Sequence, residues 1–565
     1  MDDRRLGVTS NLLAALIRLR PERGEQYTSL EDPFDHTATK PPSSPDIGDI
    51  TIVSPYIWID AICINQNDCD ERSHEVLKMG RIYESAAKVV VWLGPSDDRN
   101  DDAFDFLKSM AILKGQGKGA ADLFLQESPT NLRQRLKSLH FLALKPWFSR
   151  TWVIQEVVMS AREPIFCWGK RVIMFDDMIG ALAILGKALR MDMADRVPDI
   201  VLSDFAEEDN IYLGRWIEQL FTLDGFRIRR HHDKAGVELG YLLLHNTTKD
   251  ATDPRDKVYA ALGMCEPPRP SVRLDASNVV RGHDPNSLII NYSATVTMVD
   301  VYASLVESIQ RATQKLDIIY TRFPVDSGSW PSWVPGWNTK SPLEVFSDRG
   351  LLIGVLPMGF TDTHEKIYAA SGDSIASASF ERVSKTLTVK AILWDVVSDV
   401  CGARWRASGS SSRFKAWVTR HRNNGPGIYG TLERADEAMW RTLVANRAVQ
   451  SEFHAAAPDG WVELYREWLN STGDPPASRF TMRMSAFLDR TMIVSSKGYI
   501  GLTPPRALSG DRICIILGCS LPVILRKVDN GYRLIGDSYV HGIMQGEVMR
   551  ELEKGNVELE DICLI

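Results

Sequence analysis

The stretch Tyr56–Gly94, YIWIDAICINQNDCDERSHEVLKMGRIYESAAKVVVWLG, decides the reading of the fold. Its opening run, Tyr56-Ile57-Trp58-Ile59, is apolar, β-branched and aromatic, so it reads as a buried strand ending on Asp60. From Glu71 onward the apolar residues Val76, Met79, Tyr83 and Ala86 or Ala87 recur at steps of three and four, which lays one stripe along a helix with Asp70 or Ser73 as N-cap. Val89-Val90-Val91-Trp92-Leu93 then reads as a second buried strand, stopped by Gly94-Pro95. Strand, helix and strand in this order predict a βαβ unit with parallel strands. Asp60, Asn65 and Gln66 would lie at the first strand's carboxyl end, where open α/β sheets bind ligands.

Outward from this unit, the chain of 565 residues is too long for one core and implies three or four compact units. An apolar fraction of 44%, a charged fraction of 25% and a net charge of −7 are those of a soluble globular protein and call for neither nucleic acid nor membrane as partner. Apolar runs such as Leu12–Ile17 fall short of the ~20 residues that a bilayer span needs. The acidic start, Asp2-Asp3, argues against a signal peptide, so a cytoplasmic location is expected. The eight cysteines form no CxxC pair and have no histidine at ligand spacing, which fits reduced thiols and predicts no metal site.

Along the chain, Ser10–Arg20 reads as a short amphipathic helix and residues of about 24–55, rich in Pro, Ser, Thr and Asp, as a disordered insertion. GQGKGA at Gly115 lacks both a preceding strand and the GK[ST] ending of a phosphate loop, and reads as a connector. In Pro146–Gly169, PWFSRTWVIQEVVMSAREPIFCWG, a helix with the aliphatic face Val153, Ile154, Val157, Val158 is followed by a strand at Pro164–Trp168. Trp152 and Glu156 lie four apart on its other face. Either a second layer covers that face, or Trp152 and Glu156 line a ligand pocket. Asp253, Arg255 and Asp256 read as a capped turn held by an arginine–carboxylate pair. The prolines of Trp330–Trp337, WPSWVPGW, forbid regular structure and leave its tryptophans to clamp domains together. From Thr491 the text becomes short strands, with Asn530-Gly531 a hairpin signal, and predicts a small antiparallel barrel or sandwich.

The stretch WIDAICINQNDCDERSHEVLKMGRIYESAAKVVVWLG followed by SRTWVIQE closely resembles the heterokaryon-incompatibility (HET) domain of filamentous fungi. ATDPRDKVYAALG, WPSWVPGW and the C-terminal GYIGLTPPRALSGDRICIILGCSLPVILRKV resemble segments that accompany that domain, so the resemblance covers most of the chain. The domain's opening motif, of the form ALSYxWG, is absent, and the first strand of the sheet is expected to be missing. The resemblance implies an α/β fold: a TIR-like (flavodoxin-like) parallel sheet in a HET domain at 1–175, a helical extension at 176–265, a linker, helical and Trp/Pro-rich segment at 266–390, and a C-terminal α+β domain at 391–565 ending in the β barrel or sandwich.

The same resemblance implies nonself recognition after hyphal fusion, ending in death of the mixed cell. Because HET domains are considered distant relatives of TIR domains, whose NAD-cleaving members use a glutamate on the corresponding helix, it implies Glu156 as the catalytic residue. Trp152, Asp60, Asn65, Gln66 and Arg150 would bind substrate or hold Glu156, with loop capping as the alternative role of the polar residues. NAD or a related dinucleotide is then the substrate, with no resident cofactor. Two other readings stand beside it: a non-catalytic signalling or scaffold module that self-associates or docks an incompatibility partner, and an inactive truncated copy.

Overall fold

The computed structural model describes residues 8–19, 56–95, 100–115, 129–190, 207–233, 237, 239–265, 271–274, 287–321, 330–338, 368–402, 411–448, 456–471, 478–485, 487 and 490–565. The expected insertion at about 24–55 and residues 266–270, where the expected linker segment begins, lie outside them. No described helix is long and apolar enough to cross a membrane.

Helix α1 (Ser10–Leu19) touches the signature stretch where Asn11 accepts a hydrogen bond from the indole of Trp92 at 3.1 Å. The signature stretch itself corrects one expectation. Tyr56–Ile59 is not a buried strand: Tyr56 and Ile57 are 81% and 51% exposed, and no described strand pairs with them. An extended tetrapeptide without a neighbour gains no ladder, and its apolar side chains find other partners. Trp58 packs edge-on against Tyr83, 5.9 Å between centroids, and Ile59 leads into the one-turn helix α2 (Asp60–Cys63).

Helix α3 (Cys69–Ser85) forms as its stripe requires, with Ser73, Val76, Met79 and Gly80 buried. Its N-cap is Asp68, whose carboxylate accepts from the amides of Asp70 and Glu71. Strand β1 (Val90–Trp92) follows. Its parallel partner is β2 (Ile165–Trp168), in register Val91 to Phe166, reached through α4 (Asn100–Gly115), α5 (Pro129–Ala143) and α6 (Val153–Val158). Strand β3 (Arg171–Met174) returns antiparallel to β2 through a tight turn in which Gly169 takes φ 60. In place of the expected parallel sheet, the described residues form a three-stranded mixed one, ordered β1-β2-β3.

Helices α4 and α7 (Phe175–Arg190) pack on β3, α8 (Glu207–His231) lies across α5, α6 and α7, and α9 (Leu239–Thr247) packs on α10 (Asp256–Leu262). Strands β4 (Ser271–Leu274) and β5 (Ser287–Ile290) pair in parallel, and α11 (Met298–Thr313) starts at a capping box of Thr297 and Asp300. The WPSWVPGW segment is buried as an irregular clamp: the indoles of Trp330, Trp333 and Trp337 donate to Val334 O, Lys385 O and Thr321 Oγ1.

The C-terminal region is built on β7 (Thr386–Val400), preceded by β6 (Ala378–Glu381). Helices α12 (Ser411–Asn423), α13 (Leu432–Leu443), α14 (Trp461–Asn470) and α15 (Arg479–Ser485) intervene before β8 (Thr491–Ser495), β9 (Ile500–Thr503), β10 (Arg512–Ile516), β11 (Val523–Val528), β12 (Gly531–Asp537), β13 (Tyr539–Val540), α16 (Glu547–Glu553) and β14 (Glu560–Leu564). Strands β11 and β12 form the Asn530-Gly531 hairpin, Val528 pairing with Gly531. Because β7 pairs with both β10 and β14, the path β7-β10-β11-β12-β14 returns on itself and closes a barrel, leaving β8, β9 and β13 as a side sheet. Closure removes free edges, which short strands need.

Candidate active site

Every residue of α6 is buried, Glu156 included, with 9% of its surface exposed. The helix is covered on both sides because α3, α8 and α10 pack on it, so a carboxylate has been enclosed in an apolar layer. Just before it, Pro146–Ser149 makes a 3₁₀ turn. Trp147 packs edge-on to Phe166 of β2 with centroids 5.1 Å apart, and Phe148 stacks on the same ring. That packing aims the Trp147 indole at Glu156, to which Nε1 donates at 2.7 Å to Oε2.

Lys249 and Asp250, just before the ATDPRDK segment, hold the turn from behind. Lys249 Nζ donates to Phe148 O and Gln219 Oε1, each at 2.8 Å, while the amide and hydroxyl of Thr151 both donate to Asp250 O at 2.9 Å. Arg150 is thereby placed between two carboxylates: Nη2 lies 3.4 Å from Asp60 Oδ2 and Nη1 lies 3.9 Å from Glu156 Oε1. The loop between α2 and α3 supports Asp60, since Gln66 Nε2 donates to Asp60 O at 3.1 Å.

Burial pushes the Glu156 carboxyl above its ordinary pKa; Arg150 and the Trp147 indole pull it back, and the charge of Asp60 pushes it up again. Tyr83 of α3 faces the same charges. Burial first, then Glu156 and Asp60, raise its hydroxyl well above the usual value. Burial works against the Arg150 cation, but Glu156, Asp60 and Tyr83 outweigh it. The arrangement is a buried carboxylate with one oxygen fixed by an indole and the other with no hydrogen bond among the described residues. Such a group can meet a developing positive charge.

Of the residues expected from sequence, Asp60, Arg150 and Glu156 come together. Asn65 and Gln66 are exposed: Asn65 accepts from the amide of Asn67 at 3.3 Å and so shapes the loop, and Gln66 reaches Asp60 only through the backbone. Trp152 is half-buried, and its side chain faces the carboxylate of Asp256, whose pKa burial raises and Trp152 helps hold down. The tryptophan that grips Glu156 is Trp147, nine positions away in sequence, a spacing that no helical periodicity marks.

Asp256 centres a second network. It accepts from the Tyr292 hydroxyl and faces Arg72 Nη2 at 3.4 Å, while Arg255 is clasped by Asp253 at 2.8 Å and donates to the carbonyls of Asn291, Tyr292, Ser293 and Val296. The DPRD turn therefore ties α3, α6 and the loop before α11 together.

Residues 50–156 match the heterokaryon incompatibility protein (HET) family, and residues 452–559 match the Het-6 beta-barrel domain. The chain is similar to heterokaryon incompatibility protein 6, OR allele, of Neurospora crassa, 24% identical over an alignment of 595 positions that covers 90% of this chain and 83% of the relative. No solved structure matches it. The first match ends on Glu156 and spans Asp60, Tyr83, Trp147 and Arg150; the second lacks β7 and β14, which the closed barrel requires. The chain thus carries a heterokaryon-incompatibility domain and a Het-6 β-barrel domain.

Proposed function

We propose that the protein acts in heterokaryon incompatibility by cleaving NAD or a related dinucleotide at Glu156. The observation that carries this reading is the state of the Glu156 carboxylate: enclosed, held at one oxygen by the Trp147 indole at 2.7 Å and left open at the other. Breaking the nicotinamide–ribose bond sends the bonding pair to the pyridinium nitrogen, so nicotinamide leaves neutral without an acid. The ribose carbon becomes oxocarbenium-like, and an adjacent carboxylate stabilises it until water adds. Arg150 and Asp60, beside the same carboxylate, are suited to ribose hydroxyls and phosphate oxygens. Purified protein incubated with NAD is expected to release nicotinamide, and Glu156→Gln to abolish the release; no release from the unaltered chain contradicts the reading.

A second reading is a non-catalytic signalling module, in which the bridge Asp60–Arg150–Glu156 only steadies the fold and is not itself the working part. It expects toxicity in fungal cells to survive Glu156→Gln and to be lost on Arg81→Glu, a charge reversal on the exposed side of α3.

A further inference from the structure

The C-terminal domain buries a cation that it does not satisfy. Arg483, on α15, is 2% exposed, and its Nε and Nη2 are both shut off from solvent without a hydrogen-bond partner among the described residues. Two other arginines are buried nearby, Arg447 at 7% and Arg490 at 5%. They differ in circumstance. Arg490 Nη2 lies 2.8 Å from each oxygen of Asp537, and its Nη1 donates to Asp537 O at 3.0 Å. That carboxylate is therefore occupied.

Arg447 and Arg483 both lie within electrostatic reach of the buried Tyr368, and the Arg447 guanidinium is 5.8 Å from the centre of its ring. Arg483 lies 4.8 Å from the centre of the Phe487 ring. Aromatic faces attract a cation, yet they supply no acceptor for its N–H groups. The strain is visible in the acidity of the group: burial and then the charge of Arg447 push Arg483 down to about 10, where an arginine paired with a carboxylate would move upward.

Helix α15 is fixed by packing rather than by that charge. Phe480, one turn earlier, contacts Trp461, Tyr465 and Trp468 of α14. On the other side, the chain enters the pocket of charge through a tight reversal. Ala445 and Asn446 adopt φ 47 and φ 51, conformations that non-glycine residues avoid, and Tyr368 donates its hydroxyl to Ala445 O. Two scaffolds thus bring Arg447 and Arg483 close together inside the domain, a repulsion that an anion held by Arg483 would relieve.

We propose that Arg483, with Arg447 beside it, anchors a buried oxyanion site of the phosphate class in the C-terminal domain. The guanidinium fork matches phosphate geometry, and a phosphate oxygen accepts the N–H groups that protein atoms leave unpaired. The site is separate from Glu156 and does not depend on the chemistry assigned there.

Thermal unfolding of the full chain tests it, with inorganic phosphate or AMP, each at about 10 mM, and with chloride at matched ionic strength as the control. Phosphate or AMP is expected to raise the midpoint by several degrees over chloride. A larger shift with AMP identifies the phosphate group of an organic ligand, and an equal or smaller one identifies the free anion. Arg483→Met is expected to abolish the response and to leave the ligand-free chain as stable as before or more so. Arg483→Lys, which keeps the charge and loses the fork, weakens the response and serves where the methionine variant does not fold. Absence of any shift beyond chloride, or a full shift in either variant, overturns the proposal.

Discussion

Two buried carboxylates, Asp537 in the barrel domain and Glu156 in the HET domain, show how the molecule spends charge in different ways. Each has an arginine and each is enclosed. Asp537 takes both its oxygens to Arg490 at 2.8 Å, and both side chains are almost wholly buried. Glu156 receives one indole and only a long contact, 3.9 Å, from an arginine that is 47% exposed and shared with Asp60. A saturated pair offers nothing to a ligand and holds a fold together. An under-paired carboxylate in an apolar layer costs stability, and such a cost is the usual mark of a working group.

The largest effect should come from breaking the saturated pair. Asp537→Ala leaves Arg490 charged and enclosed and should cost about 3–5 kcal/mol, read from the denaturant midpoint of the C-terminal domain. Replacing both partners, Arg490→Met with Asp537→Leu, should recover most of the loss.

Next comes the Glu156 clamp. Trp147→Phe keeps the ring packing on Phe166 but removes the donor to Oε2, which should cost about 1–3 kcal/mol and raise the Glu156 pKa further. Titration of Glu156 by NMR in the two proteins measures the second effect.

Glu156→Gln should run in the opposite direction to Asp537→Ala. The folded-state pKa of Glu156 is raised, so the folded chain holds that proton more tightly and loses stability as pH rises from the ordinary carboxylate value through the raised one. The glutamine variant should therefore match the parent in acid and exceed it at neutral pH, by on the order of 1 kcal/mol. A variant less stable than the parent at pH 7 would place Glu156 with Asp537 and dissolve the contrast.

Lys249, behind the Trp147 turn, sharpens it on the cationic side. Its pKa is pushed down to about 7 by burial and by Lys257, against Asp250. A lysine lowered in this way is neutral in the folded chain above that pH while still charged when unfolded. Its contribution to stability therefore rises as pH climbs from about 7 towards the ordinary lysine range, by up to about 1.4 kcal/mol per pH unit. A neutral amine retains the two N–H groups that Phe148 and Gln219 accept. Lys249→Met should flatten the rise in stability between pH 7 and about 9. The smallest effect belongs to the half-exposed pair Glu84–Arg230, 3.0 Å apart: Glu84→Ala should cost no more than about 1 kcal/mol.

What the sequence disclosed follows the range of the interactions. The stripe of α3, strand β1 and the Asn530-Gly531 hairpin rest on neighbours a few residues apart, and their periodicities carried them. The Tyr56–Ile59 run has the composition of a strand, but a strand also needs a partner, which composition cannot supply. At the site, Glu156 and Arg150 were legible through resemblance and Asp60 through its place at the end of an apolar run. Trp147 was not, because its indole reaches Glu156 from a 3₁₀ turn whose direction is set by Phe166 and Lys249. Tyr83 read as core stripe, and only tertiary packing brings it to Glu156 and Asp60. The barrel's closure was equally hidden, since it depends on β7 and β14, far apart in the chain.

The most direct test of the account follows nicotinamide release from NAD by the full chain and by Glu156→Gln, with thermal unfolding of the same samples at pH 7. Release by the parent alone, with a variant at least as stable, is the expected result. Release that continues undiminished in Glu156→Gln, or a parent that releases none, would contradict it.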